Sequence, residues 1–237
     1  MRLALLERLL AVTRDRGTAA LATDLATGAQ RLVTSDGDDG ELQLGTSDLA
    51  QLHRAFDEGQ SGTINTESGP VFVEVWNPKL RLIVVGAVHT AQALVPMAQL
   101  AGYEVIVIDP RTAFCTPVRF PDTALSHAWP DAEVPARKPD RRTAVVTLTH
   151  DAKIDDPALE AALRSDAFYI GALGSRRTHA KRAERLAAAG FDAAAIARVR
   201  GPVGLAIGAL TPGEIALSIM AEITAVLRRA PLASRAA

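Results

Sequence analysis

This chain of 237 residues holds a single cysteine, Cys115. One thiol excludes an intrachain disulfide and any metal site built from several cysteines, and it fits a reducing, cytoplasmic setting. An excess of charge of either sign is also missing: 26 Lys and Arg face 27 Asp and Glu, a net charge of -1. That balance gives no bulk attraction to nucleic acid or to an anionic membrane surface. Long apolar runs are absent as well. The opening stretch carries Leu5, Leu6, Leu9, Leu10 and Val12, but Glu7 and Arg8 interrupt it far short of the ~20 apolar residues of a membrane span, or of the apolar core of a signal peptide. It reads as an amphipathic opening helix, and no later segment approaches transmembrane length. There is no internal repeat, and no low-complexity tract apart from an alanine-rich tail.

The length allows one large domain or a small one followed by a medium one, and the order of elements favours two. In residues 1–78, Thr18 to Thr23 and Gln30 to Thr34 are strand-like and flank a turn at Ala26-Thr27-Gly28, while Ser35 to Gly40 is a second cluster of turn residues. A helix is expected around Ser47 to Glu58, and Gly62 to Asn65 with Val71 to Val75 reads as another hairpin. This is a small α+β domain. From residue 79 strands and helices alternate, which is the pattern of a parallel sheet with flanking helices. The fold class is therefore α/β, with a Rossmann-like domain over 79–237. Thr143 to Leu148 and Ala167 to Ile170 read as strands, Pro157 to Arg164 and the stretch from Arg176 to about Ala189 as helices. Proline-rich Trp129 to Arg142 reads as an exposed connection. A last amphipathic helix follows Thr211.

The stretch from Leu80 to Pro110 is the most informative. Leu82 to Val85 is a short continuous apolar run, as expected of a parallel strand covered on both faces, and Gly86 permits a sharp turn out of it. Ala93, Leu94, Met97 and Leu100 recur at helical spacing, with Gly102 placed to end the helix. Val105 to Ile108 is a second buried strand, ending in Asp109 where an acid would meet a ribose hydroxyl. The dinucleotide fingerprint maps onto Gly86, Val88 and Ala91. Val88 puts a branched side chain where backbone amides approach a pyrophosphate, which argues against tight NAD binding in the usual pose. The alternative is a buried strand, turn and helix with no ligand.

In an open α/β sheet, ligands bind beyond the carboxyl ends of the strands, and four segments fall there: Gly86 to Thr90, Asp109 to Thr116, Thr149 to Asp151, and Gly171 to Arg177. His89, at a helix start, suits a neutral hydrogen-bonding imidazole or a plain first-turn residue. His150 is a ligand contact or general acid/base, or else part of a turn cluster. Gly174, Ser175, Arg176 and Arg177 bring free amides, a hydroxyl and guanidinium groups to a helix start, suited to phosphate; a solvated basic face is the alternative. Cys115, near Arg111 and Arg119, is a candidate sulfur or metal contact or a small buried apolar group. Glu214 caps or charges the first turn of the last helix, with a carboxylate near the site as the alternative, and Glu222 shares its face.

As an ordered set, GAVHTAQAL, VIDPRTAFCTPVRFP, LTHDAKID, YIGALGSRRT and GPVGLAIGALTPGEIALSIMAEI resemble the XdhC/CoxI family, the maturation factors of xanthine dehydrogenase and related molybdenum hydroxylases, over roughly Leu80 to Leu227. The resemblance implies a Rossmann-like C-terminal domain behind a smaller N-terminal one. It implies binding of the molybdenum cofactor (molybdopterin), shelter while an oxo group is replaced by sulfur, and delivery to an apo molybdenum hydroxylase of the xanthine or carbon monoxide dehydrogenase type. A cysteine desulfurase would be a second partner, members tend to form homodimers, and an accessory protein rather than an enzyme is implied. The cofactor-binding set would be Gly86, Val88, His89, Thr90, Asp109, Arg111, Cys115, His150, Gly174, Ser175 and Arg176, with Cys115 a candidate metal contact. Two departures stand out: the family's loop is usually GAGH where this chain has Gly86-Ala87-Val88-His89, and no cysteine precedes Cys115. The alternatives are an NAD(P)-dependent oxidoreductase, with Asp109 on the ribose and Arg111 near a phosphate, and a regulatory nucleotide-binding module.

Overall fold

The computed structural model describes residues 3–230 and divides the chain into two compact units, Met1–Pro78 and Lys79–Ala237. The first contains α1 (Leu3–Arg14), β1 (Ala19–Asp24), β2 (Gln30–Thr34), β3 (Gly37–Gly40), α2 (Thr46–Glu58), β4 (Gly62–Thr66) and β5 (Gly69–Trp76). Its antiparallel sheet runs β3-β2-β1-β5-β4. Successive strand residues point to opposite faces. Ala20 and Ala22 of β1 therefore pack with Leu52 of α2, while Ala19 and Leu21 pack with Leu5 and Leu9 of α1. One segment differs from expectation: part of the polar cluster Ser35 to Gly40 forms β3, which pairs with β2 through its backbone. Its residues, Gly-Asp-Asp-Gly, carry no apolar period by which a strand could be recognised.

The second unit contains β6 (Arg81–Val85), α3 (His89–Leu100), β7 (Glu104–Ile108), β8 (Ala124–Ser126), α4 (Pro130–Ala136), β9 (Thr143–Thr147), α5 (Ala152–Leu163), β10 (Tyr169–Ala172), α6 (Arg176–Ala188), α7 (Ala193–Ile196), β11 (Val199–Arg200) and α8 (Pro212–Leu227). The sheet order is β8-β7-β6-β9-β10-β11, parallel throughout. The chain builds outward from β6 to β8, then returns to lay β9 on the other side of β6. This is the Rossmann order, with its switch point between β6 and β9.

Both faces are covered, which is why the strands read as continuous apolar runs. Leu82 and Val84 face α3 and α8, meeting Leu94, Ala98, Ile219 and Ile223. Ile83 and Val85 face the opposite layer, with Ile154, Ala158 and Leu159 of α5 and Leu186 of α6. The segment expected to be an exposed connection contains α4, which starts on Pro130 at its first position with Asp131 and Glu133 in the first turn, and buries Val134. Helix α5 begins at Ala152, earlier than its apolar period suggested, because Asp151 caps it by accepting from the Lys153 amide.

Candidate functional site

At the switch point the ends of β6 and β9 lie side by side, Val85 opposite Thr147, with the Leu148 amide donating to the Val85 carbonyl. Gly86 turns the chain out of β6 at φ +113°, and a Cβ there would lie 2.6 Å from Thr149 Cγ2 and 3.3 Å from the Thr149 amide nitrogen. The loops after β6 and β9 are thus in direct contact through a position that only glycine fits. The chain then enters α3 at Val88, whose side chain provides no cap. Helices α5 and α6, which also leave this edge, are capped: Asp151 accepts from Lys153, and Ser175 accepts from Thr178. Helix α3 alone of these three offers its first-turn amides without a side-chain competitor, and the helix dipole adds partial positive charge there. Val88 is half-buried, His89 exposed and Thr90 buried at this entrance.

Asp109, at the end of β7, is fully buried. Its Oδ2 accepts from the Ala87 amide at 2.7 Å and from Arg111 Nη2 at 2.7 Å; its Oδ1 accepts from the Arg111 amide and Arg111 Nε, both at 2.9 Å. Burial by itself pushes this carboxyl up, but the Arg111 guanidinium and the two amides outweigh it and hold the group below its usual value. The Arg111 guanidinium lies over the Phe114 ring, 4.9 Å from its centroid. Arg119 completes the closure by donating to the Ala87 and Phe114 carbonyls, each at 2.7 Å, and to Gln92 Oε1 at 2.8 Å. Both the amide and the carbonyl of Ala87 are therefore bound by the segment that follows β7. Cys115 is buried behind this segment, its thiol 3.8 Å from the Val107 and Ser126 carbonyl oxygens, and burial pushes its pKa up. It is a neutral thiol turned into the core. Among the described residues, no group of three or more His, Cys, Asp or Glu side chains is arranged to hold a metal ion.

The loop after β9 is organised by a carboxylate that sequence reasoning missed. Asp155, 1% exposed on the first turn of α5, accepts from Thr149 Oγ1 at 2.7 Å, the Thr149 amide at 3.3 Å and the His150 amide at 3.1 Å. These bonds hold exposed His150 at φ +64°, so that it stands at the rim of the switch point. Arg182 of α6, 2% exposed, reaches the same corner and donates from Nη2 to the Leu173 carbonyl at 2.9 Å. Its Nε and Nη1, like Thr147 Oγ1, are buried with no hydrogen-bond partner among the described residues.

Burial raises the Asp155 pKa above 3.8, against the pull of Thr149, Arg182 and His150. The folded chain thus takes up this proton more readily than the unfolded one, and Asp155's contribution to stability grows as pH falls from neutral toward the unfolded value of 3.8. Asp155→Asn cannot ionise and forgoes that gain. In urea titrations the stability of wild type minus that of the variant is expected to rise from about pH 7 to about pH 4. A constant or falling difference would overturn this assignment.

Beyond β10, Gly174 adopts φ +142° and Ser175, Arg176 and Arg177 stand exposed at the start of α6. Next to them lies the loop 201–208, which leaves the end of β11 and returns to the sheet by donation from the Val203 amide to the Ala172 carbonyl. Glu222 of α8, 1% exposed, anchors this loop: its Oε2 accepts from the Gly204 amide at 2.8 Å and from the Tyr169 hydroxyl at 2.6 Å. Glu214 forms a reciprocal capping box with Thr211 at the start of the same helix.

Gly86 thus meets the His150 loop at the switch point, Val88, His89 and Thr90 follow it into α3, and Gly174, Ser175 and Arg176 lie on the loop after β10. Asp109 and Arg111 bind each other, and Cys115 lies behind them. Asp155, Arg182 and Glu222 are the buried charges that shape this edge. The signals available for them were an acid in the first turn of a helix after a strand, and charges at core-facing positions of α6 and α8. No helix among the described residues is long and apolar enough to cross a membrane.

Residues 82–223 match the family described as the XdhC Rossmann domain. The chain is 35% identical over 165 residues to the uncharacterized protein YqeB of Escherichia coli, covering 68% of this chain and 30% of that protein. It is 33% identical over 151 residues to the molybdenum cofactor insertion chaperone PaoD of Escherichia coli, covering 64% and 41%. It is 34% identical over 160 residues to a protein of Bacillus subtilis named as a probable xanthine dehydrogenase subunit, covering 67% and 46%. The matched region spans less than half the length of each of these relatives. A solved structure described as a xanthine dehydrogenase from Bacillus halodurans superposes with a TM-score of 0.66 at 26% identity, covering 98% of this chain and 67% of that one. With the family match extending over most of its parallel sheet and the helices that flank it, this chain belongs to the XdhC family.

Proposed function

We propose that this protein is a maturation factor that receives the molybdenum cofactor as cargo, shelters it during sulfuration and hands it to an apo hydroxylase of the xanthine dehydrogenase type. The observation that carries this reading is the uncapped N-terminus of α3 at the switch point, on the same carboxyl edge of the sheet as the arginines that open α6. Molybdopterin is anionic and ends in a phosphate, which suits free helix-start amides and guanidinium groups. The chaperone name of the PaoD relative supports the same assignment.

The residues fit this cargo. The first-turn amides of α3 and the side chain of Arg176 would bind its phosphate, Val88 would line an apolar wall, and exposed His89 and His150 would offer hydrogen bonds at the rim. The bound cofactor supplies the molybdenum centre on which sulfur replaces oxygen. The chain's own work is to bind, orient and exclude water, with a cysteine desulfurase and the target hydroxylase as transient partners, a homodimer as the working form and the cytoplasm as its location.

Titration of purified protein with molybdopterin tests the reading. Saturable binding with a Kd on the order of micromolar is expected. Arg176→Ala should weaken it, by a margin that shrinks as salt is raised, because Arg176 is exposed and its charge is screened. The absence of saturable binding to the wild type would overturn the carrier role.

A further inference from the structure

We propose that Arg111 is a specificity-determining residue that plugs the adenosine half of the crevice. The site would then admit a ligand held through a single phosphate and exclude adenosine dinucleotides. The inference deepens the cofactor reading, and rests on it in taking this crevice as the ligand site.

In a dinucleotide-binding Rossmann sheet, the acid at the end of the second strand accepts the ribose 2′-hydroxyl of adenosine. Asp109 occupies that position at the end of β7. An ionised carboxylate offers about four acceptor positions. Four protein donors already occupy Asp109: the Ala87 amide, the Arg111 amide, Arg111 Nε and Arg111 Nη2. The carboxylate is fully buried beneath the guanidinium, which in turn is braced against Phe114. No acceptor remains for a ribose, and the carboxylate itself presents no surface to one.

The turn that leads into α3 is engaged by the same segment. The Ala87 amide, in the turn that would approach a pyrophosphate, is turned to Asp109, while Arg119 holds the Ala87 carbonyl. The entrance of α3, after β6, and the loops after β9 and β10 stay accessible, and they run from β6 away from β7. The geometry thus leaves the anion subsite at the start of α3 and fills the acceptors that would hold the adenosine ribose.

The test is calorimetric titration of the full chain with ADP-ribose and, separately, with its 2′-phosphorylated form. Wild type is expected to bind neither at concentrations on the order of 1 mM, while Arg111→Ala, by freeing two acceptor positions of Asp109, gains ADP-ribose binding by about tenfold or more. Arg111→Lys keeps the charge but not the two-pronged contact, so it should show a smaller gain and serves if the alanine variant does not fold. Saturable wild-type binding of either probe below about 1 mM overturns the plug. So does a folded variant, judged by its circular dichroism and melting transition, that gains nothing. Molybdopterin titration of the wild type reports separately: its failure beside a gain of ADP-ribose by the variant overturns the carrier reading and leaves the plug intact.

Discussion

Gly86→Ala is expected to destabilise the protein by roughly 2–6 kcal/mol and to abolish cofactor binding together with it. Two costs combine. A side chain at φ +113° sits in a sparsely populated backbone region, worth about 1–3 kcal/mol. The new Cβ would also lie 2.6 Å from Thr149 Cγ2. Thr149 cannot simply rotate away, because its Oγ1 is held by Asp155 at 2.7 Å, and its amide nitrogen is itself only 3.3 Å from the new atom. Relief must come from moving one loop away from the other, which costs about 1–3 kcal/mol more and spoils the switch point. Urea denaturation and molybdopterin titration check the two effects. Val88→Gly two residues on is the comparison: glycine is better accepted than valine where a helix begins, which offsets part of the packing lost with the half-buried side chain, so it should cost less than Gly86→Ala. A Gly86→Ala protein as stable and as competent in binding as wild type would show that the two loops do not meet as described.

Glu222→Ala carries the second large effect, a loss of about 3–5 kcal/mol. The carboxylate is the buried acceptor for both the Tyr169 hydroxyl and the Gly204 amide, and it lies 3.7 Å from Arg200 Nη1. Removing it takes a charge-assisted anchor from three elements at once: β10, the loop 201–208 and α8. Glu222→Gln keeps an oxygen acceptor and should lose less. Besides the shift in urea midpoint, limited proteolysis should cut within residues 201–208 faster in the alanine variant. Equal cleavage rates, with stability unchanged, would remove Glu222 from the role of anchor.

Much of the fold was legible because it rests on local chemistry. Continuous apolar runs at Leu82 to Val85, Val105 to Ile108 and Thr143 to Leu148 marked strands covered on both faces, and alternating strands and helices implied a parallel sheet. The strands that were not anticipated, β3, β8 and β11, are short and pair through backbone atoms, which leave no side-chain period. Helix α4 did carry a signal, a proline at its first position followed by acids, but prolines and charges in the same stretch read more readily as an exposed connection.

The site was legible in position more than in role. The carboxyl edge of the sheet follows from strand order, and Gly86, His89, His150 and Arg176 follow from their place after strands. The partners of the acids do not. Asp109 stands where a ribose-binding acid stands, yet its acceptors are filled by Arg111 and Ala87. Tyr169 and Glu222 meet across 53 residues of chain, and nothing in the periodicity of either segment announces it.

The sequence by itself determined that a small α+β unit is followed along the chain by a parallel sheet, with a glycine turn at the end of β6 and helix starts suited to an anion, since turn and helix preferences act over a few residues. Tertiary structure alone decided which of those groups are free to meet a ligand. A carboxylate or amide has few bonding positions, and whether they are spent inside the protein depends on residues that only folding brings within 3 Å, as it brings Ala87 to Asp109.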